Sequence, residues 1–279
     1  MEFTMMRKTS LLSALLLVPA LALADECRHS EPRNLKLDLA SAKNVIFDAQ
    51  QNNLKLTGAS SAAFELHGRA CASDADMLKE LTVRQRREGD TLIVTLQHDG
   101  KIHGISSGTR YAYLDLAGSV PSSLAVQLRL GSGDADIGGV AALDATVGSG
   151  DLHAHGVRGA VSVTVGSGDI KLRDIGSLSL PTLGSGDVKA SQVGGDVKIG
   201  TVGSGDLTVH GVRGALQIGS IGSGDAQLSD VSGNVALQSI GSGDLEVSGV
   251  GGNLSVERVG SGDIHHSGVR GSVNVPKPR

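Results

Sequence analysis

Tryptophan is absent from the 279 residues, and phenylalanine and tyrosine together number only five. That excludes a globule packed around aromatic rings. Two cysteines are too few for a disulfide-dense scaffold or a four-cysteine metal site. No apolar run reaches the ~20 residues that a spanning helix requires, so no membrane span is expected. Positive charge is also scarce: from Gly131 onward ten Lys and Arg face fifteen Asp and Glu, which repels phosphate and argues against nucleic acid as a partner. The 39% hydrophobic and 19% charged fractions nonetheless exclude a disordered chain. Glycine is what the chain has in excess, at 40 residues.

The first 24 residues read as an export address. Arg7 and Lys8 precede the apolar run Leu11 to Val18, and Ala22-Leu23-Ala24 supplies the small residues a signal peptidase recognises, which places cleavage after Ala24. Cys27 follows Ala24-Asp25-Glu26, which does not fit a lipidation box. Export puts Cys27 and Cys71 in an oxidising compartment, where a disulfide is expected. The location expected is the periplasm, the cell surface or the medium.

The strongest signal lies downstream. Gly-Ser-Gly-Asp occurs eight times, starting at Gly131, Gly148, Gly166, Gly184, Gly203, Gly222, Gly241 and Gly260, at spacings of 17, 18, 18, 19, 19, 19 and 19. Such self-similarity marks a stacked repeat. Thirty-three of the 40 glycines lie in this half and none of the aromatics do. Each unit holds the pattern apolar-x-apolar-x-x-apolar twice, as in Leu207, Val209, Val212 and then Leu216, Ile218, Ile221. The i, i+2 spacing and the β-branched residues specify strands. Two short strands cannot bury an apolar side alone, but a chain returning every ~19 residues can stack each strand on its equivalent, with coils ~4.8 Å apart. The expected fold is all-β: a right-handed parallel β-solenoid of about eight coils.

Two corners punctuate each coil, Gly-Ser-Gly-Asp and a weaker Val-x-Gly such as Val212-Arg213-Gly214. Glycine there supplies positive φ or close backbone approach. The aspartates, Asp134, Asp151, Asp169, Asp187, Asp206, Asp225, Asp244 and Asp263, are read as acceptors for turn amides of their own or the adjacent coil. A Gly-rich β-roll with a regular Asp also raises calcium. With one Asp per ~19 residues and six to eight oxygens needed, calcium is the alternative to the structural role, and no other cofactor is expected. His153 and His155 share an outward strand face, and His265 adjoins His266. Lys171 and Arg173 occupy the neighbouring coil, so a metal there is not expected.

Catalysis on a solenoid needs unlike acids and bases on adjacent coils. The outward row His153, Lys171, Lys189, Thr208, Gln227, Glu246, His265 assigns no such set. No catalytic, cofactor or metal residue is named, and a polysaccharide-active enzyme ranks behind both other readings. The row also lacks a regular threonine array, which argues against ice binding.

Residues 25–130 read as an irregular β region that caps the open end of the solenoid. Val45 to Asp48, Leu54 to Leu56, Phe64 to Leu66 and Leu124 to Leu130 alternate as strands. Asp74 and Asp76 precede a brief helix, and Thr82 to Arg87 pairs with Thr91 to Gln97 across Gly89. Arg84, Arg86 and Arg87 are an anion patch or, preferably, a solvated strand face. Residues 131–279 are the solenoid proper, ending in Pro276-Lys277-Pro278-Arg279, which discourages end-to-end addition.

The Gly-Ser-Gly-Asp array with Leu-x-Val and Gly-Val-Arg-Gly between its members resembles the bacterial "putative adhesin" family of β-strand repeat proteins, relatives of the head-GIN adhesin-like domains, over about 131–275. Gly68-Arg69-Ala70-Cys71-Ala72-Ser73 and Arg86-Arg87-Glu88-Gly89-Asp90-Thr91-Leu92 are similar to proteobacterial members. The resemblance implies a β-helix of the Gram-negative envelope or surface and no enzymatic residues. The expected role is a monomeric structural or interaction module, an adhesin or envelope scaffold, with a partner that the sequence does not name.

Overall fold

The computed structural model describes residues 27–40, 42–60, 64–99 and 110–276. The export segment and residues 277–279 lie outside them. The elements in chain order are β1 (His29–Lys36), β2 (Asn44–Gln50), β3 (Asn53–Ala59), β4 (Glu65–Ala72), a 3₁₀ turn (Ala75–Glu80), β5 (Leu81–Glu88), β6 (Thr91–His98), β7 (Ala112–Pro121), β8 (Ala125–Leu130), β9 (Ala135–Gly138) and β10 (Ala142–Val147). The long β11 (Leu152–Val165) and β12 (Ile170–Leu183) follow, then β13 (Val188–Val193), β14 (Val197–Val202), β15 (Leu207–Val212), β16 (Leu216–Ile221), β17 (Ala226–Val231) and β18 (Val235–Ile240). The last are β19 (Leu245–Val250), β20 (Leu254–Val259), β21 (Ile264–Val269) and β22 (Val273–Asn274).

The repeats are a parallel β-solenoid. Each Gly-Ser-Gly-Asp leads into a strand of a front face, and each Val-x-Gly corner leads into a strand of a back face. The front ladder runs β9, β11, β12, β13, β15, β17, β19, β21, every pair parallel. The back ladder runs β8, β10, β11, β12, β14, β16, β18, β20, β22. The long strands β11 and β12 pass round a corner and serve both faces.

The half-pattern has a conformational cause. In strict alternation the third apolar residue of apolar-x-apolar-x-x-apolar would face water. On the front face the residue before it takes positive φ: Gly139, Gly156, Asp174, Gln192, Gly211, Asp230, Gly249 and Gly268 form a column, with φ from 54° to 72°. Pairing skips these residues, as at Gln192 and Gly211 between β13 and β15, and the chain turns the next side chain inward. Val193, Val212 and Val231 are accordingly buried.

The drift from 17 to 19 residues has a local origin too. The back strands of the first two units, residues 143–147 and 161–165, alternate strictly, whereas later ones carry an extra residue at Pro181, Gly200, Gly219, Gln238 or Glu257. The Val-x-Gly corner also gains one residue in some units.

Parallel pairing continues upstream of Gly131. β2 and β3 form a coil beneath β8 and β9, and β6 and β7 form another beneath that. This lower coil is later in sequence, so the chain from β7 to β8 passes over the β2–β3 coil, with Ser122 N donating to Ala59 O at 3.0 Å. Below it the direction reverses: β4 lies antiparallel to β7, β1 antiparallel to β4, and β5 antiparallel to β6. The two outer edges are stitched together by side chains. Arg33 donates to the carbonyls of Leu78 and Leu81, while Gln85 bonds both Lys36 O and Asp38 N. The disulfide Cys27–Cys71, Cα–Cα 5.5 Å, pins the start of this cap.

One continuous aliphatic core runs from Leu37 to Val256. Phe47 is fully buried beside Val94 and Leu128, so the coil at that level admits a ring although the repeats hold none.

Candidate functional site

The aspartates form a ladder. Oδ1 of each accepts from the backbone N–H of the next: Asp134 from Asp151, Asp151 from Asp169, Asp169 from Asp187, Asp187 from Asp206, Asp206 from Asp225, Asp225 from Asp244, and Asp244 from Asp263, at 2.8–3.3 Å. Asn53 Oδ1 supplies the first rung to Asp134 N at 3.1 Å. Carboxylates stacked ~4.8 Å apart in water repel by roughly 1 kcal/mol before screening, whereas a hydrogen bond to a charged acceptor contributes about 1.5–3 kcal/mol. The ladder therefore wins over the repulsion.

A second ladder lines the other corner. Asp196 Oδ1 accepts from Ala215 N at 2.9 Å, Asn234 Oδ1 from Asn253 N at 2.8 Å, and Asn253 Oδ1 from Ser272 N at 2.9 Å. It mixes Asp, Asn and Ala, which hid it from a search for a matching acid. Its signal was positional: Asp196, Asn234 and Asn253, 38 and 19 residues apart, each stand before an apolar triplet.

Outward side chains form ranks along the rod. On the front face His153 lies beside Lys171 and His155 beside Arg173; Lys189 and Ser191 follow, then Thr208 and His210. His155 also approaches Asp136 at 3.4 Å. The back face carries the hydroxyl rank that the front row lacks: Thr146 beside Thr164, and further along Thr182, Thr201, Ser220 and Ser239 in register. The extra back-strand residue concealed this column in the sequence. In the cap, Arg84 pairs with Asp99 at 3.3 Å and Arg86 with Glu88 on one exposed face of the strand, while Arg87, half-buried on the opposite face, pairs with Asp38 at 3.3 Å.

His210, Ser229 and Asp230 come together, but Ser229 Oγ and Asp230 Oδ2 both approach the same ring nitrogen, Nδ1, at 2.9 and 3.3 Å. A proton relay needs the hydroxyl on one nitrogen and the carboxylate on the other. His266 takes the inward position of Val247 in the last described coil, where it is exposed, and His265 faces outward. Among the described residues no three His, Cys, Asp or Glu side chains group to hold a metal ion, and no helix is long and apolar enough to cross a membrane.

Residues 159–269 match the family model described as "Putative auto-transporter adhesin, head GIN domain". The repeats match an adhesin-like family. Among solved structures, one described as "Putative lipid binding protein" from Parabacteroides distasonis is 19% identical, with 88% of this chain and 97% of that chain covered and a TM-score of 0.53. One described as a "putative adhesin" from Bacteroides fragilis is 15% identical, with the same coverage and a TM-score of 0.49. Among curated proteins no sequence matches the chain. At such identities the first structure speaks for the fold, and the head GIN match speaks for the repeats.

Proposed function

We propose that the protein is an exported, non-enzymatic β-solenoid that presents its ordered faces to a partner, as an adhesin-like or envelope-scaffold module. The observation that carries this reading is the register of the outward ranks. Side chains repeat along a rod whose strands pair from coil to coil, and where a hydroxyl, an imidazole and a carboxylate meet among the described residues, at Ser229, His210 and Asp230, they do not form a relay. The adhesin-like match of residues 159–269 supports it, and the disulfide is in keeping with an oxidising compartment. Against the calcium alternative, one oxygen of each turn carboxylate from Asp134 to Asp244 is already engaged by an amide.

The test begins with protein recovered from expressing cells. Its sequence should start at Asp25, and denaturation without reductant should release no free thiol. Immobilised on beads, it should be retained by envelope preparations without cleaving their glycans or losing binding to a chelator. A chain beginning at Met1 with two thiols overturns export, glycan turnover overturns the non-enzymatic role, and chelator-sensitive folding restores calcium.

A further inference from the structure

The outward positions of the front face are not uniform. Between Asp136 at one end and Glu246 at the other, β11, β12, β13, β15 and β17 present His153 and His155, Lys171 and Arg173, Lys189 and Ser191, Thr208 and His210, then Gln227 and Ser229. This block holds three permanent cations, three imidazoles and no carboxylate, within a half of the chain where acids outnumber bases. Lys171, Arg173 and Lys189 are exposed, and no carboxylate among the described residues lies within ion-pair distance of them. Carboxylates line both margins. The turn column Asp151, Asp169, Asp187 and Asp206 runs along one side, and Asp174 and Asp230 of the positive-φ column stand on the other.

We propose that this strip is the docking surface for a carboxylate-bearing polysaccharide laid along the rod axis, which names the partner class of the module proposed above and rests on that reading. The margins select a narrow ligand: a flat anionic membrane would press against both acidic columns, whereas a single chain can cover the cations alone. The cations select its charge density. The five front strands, ~4.8 Å apart, span about 19 Å, and their three permanent charges, Lys171 and Arg173 on β12 and Lys189 on β13, suit a sparsely charged polymer with about one charge per coil. A DNA duplex, with one charge per ~1.7 Å, would bring about eleven to the same length and reach the carboxylate margins. The absence of aromatic side chains from residue 131 onward removes the stacking platform that single-stranded nucleic acid uses. Recognition therefore rests on charge and hydrogen bonds, with the Arg173 guanidinium suited to a bidentate carboxylate contact.

The experiment uses the full mature protein and polygalacturonate as probe. Wild type should be retained on immobilised polygalacturonate, released by raised salt, and not retained on the fully methyl-esterified polymer. The double variant Lys171→Glu/Lys189→Glu should bind about tenfold or more weakly, because each reversal turns attraction into repulsion. Lys198→Glu/Arg258→Glu, an equal charge change among exposed residues of the back face, should bind as wild type does. Both should keep the wild-type melting temperature. Equal binding by all three proteins, or equal retention of wild type on anionic vesicles or DNA, overturns the proposal. Retention on envelope preparations separates the two readings: if wild type holds there but not on polygalacturonate, the strip's ligand is wrong and the module stands; if it holds on neither, both fall.

Discussion

Glycine fills two kinds of column for two different reasons, and only one is conformational. At Gly211 φ is 72° and the nearest atoms to an added Cβ lie 3.6 Å away, so there is room but the backbone is left-handed. At Gly205 the backbone is ordinary, yet an added Cβ would fall inside the carbonyl of Gly186 in the preceding coil. Gly214 is constrained similarly, because Asp196 Oδ1 and backbone atoms of the coil below take the place of its Cβ. The sequence shows glycine recurring at both positions but cannot separate these causes. The difference predicts a ranking. Gly211→Ala should cost about 1–2 kcal/mol, the left-handed penalty. Gly205→Ala should cost more, about 3 kcal/mol or above, since two coils must separate to admit it. Gln192→Gly, at a position already left-handed with φ 57°, should be near neutral or stabilising. Urea unfolding of the three variants decides, and a Gly211→Ala cost above that of Gly205→Ala would refute this account.

At the scale of elements, what was legible was what repeats. The strand pattern, the Asp turns, the brief helix after Asp74 and the β5–β6 hairpin all rest on local spacing. The order of the lowest coils was not legible, because β6 and β7 pack beneath β2 and β3, which precede them, and nothing local encodes that exchange. The turn Gln50-Gln51-Asn52-Asn53 was missed for a related reason. It occupies the place of Gly-Ser-Gly-Asp one coil below Gly131, with Asn53 heading the Asp ladder and Gly133 lying against Asn52, yet it shares no residue with the motif. Asn52 ties this turn to the coil below: its Nδ2 donates to Ala49 O at 2.9 Å and Leu96 O at 3.0 Å, and its Oδ1 accepts from Leu114 N at 2.7 Å. Asn52 is fully buried. Asn52→Leu would leave those backbone groups unpaired, at about 1–3 kcal/mol each if no water enters, and should cost at least about 3 kcal/mol. A loss below 1 kcal/mol would show that the corner does not depend on this amide.

At the scale of the whole molecule the two ends are unlike, and this governs how the rod tolerates shortening. The lower end turns its strands antiparallel and joins their outer edges through Arg33 and Gln85, so no continuous ladder edge is offered there. At the upper end the core thins instead: Val259, Ile264 and Val269 are half-buried, Val273 is 42% exposed, and His266 stands at a core position. Each coil contacts only its neighbours, so stability is close to a sum of coil and interface contributions. Removing residues 241–279 should therefore leave a shorter chain that still folds, with a proportionately smaller urea m-value, since the coils below keep their own interfaces. Removing residues 25–130 strips the partners of β9 and β10 together, bares Ile137, Leu143, Ala145 and Val147, and frees two parallel edges with nothing to cover them. That fragment should aggregate. Sedimentation of the two truncations side by side tests the asymmetry: a monomeric, cooperatively unfolding 131–279 fragment would show that the antiparallel strands do not protect the rod's lower end.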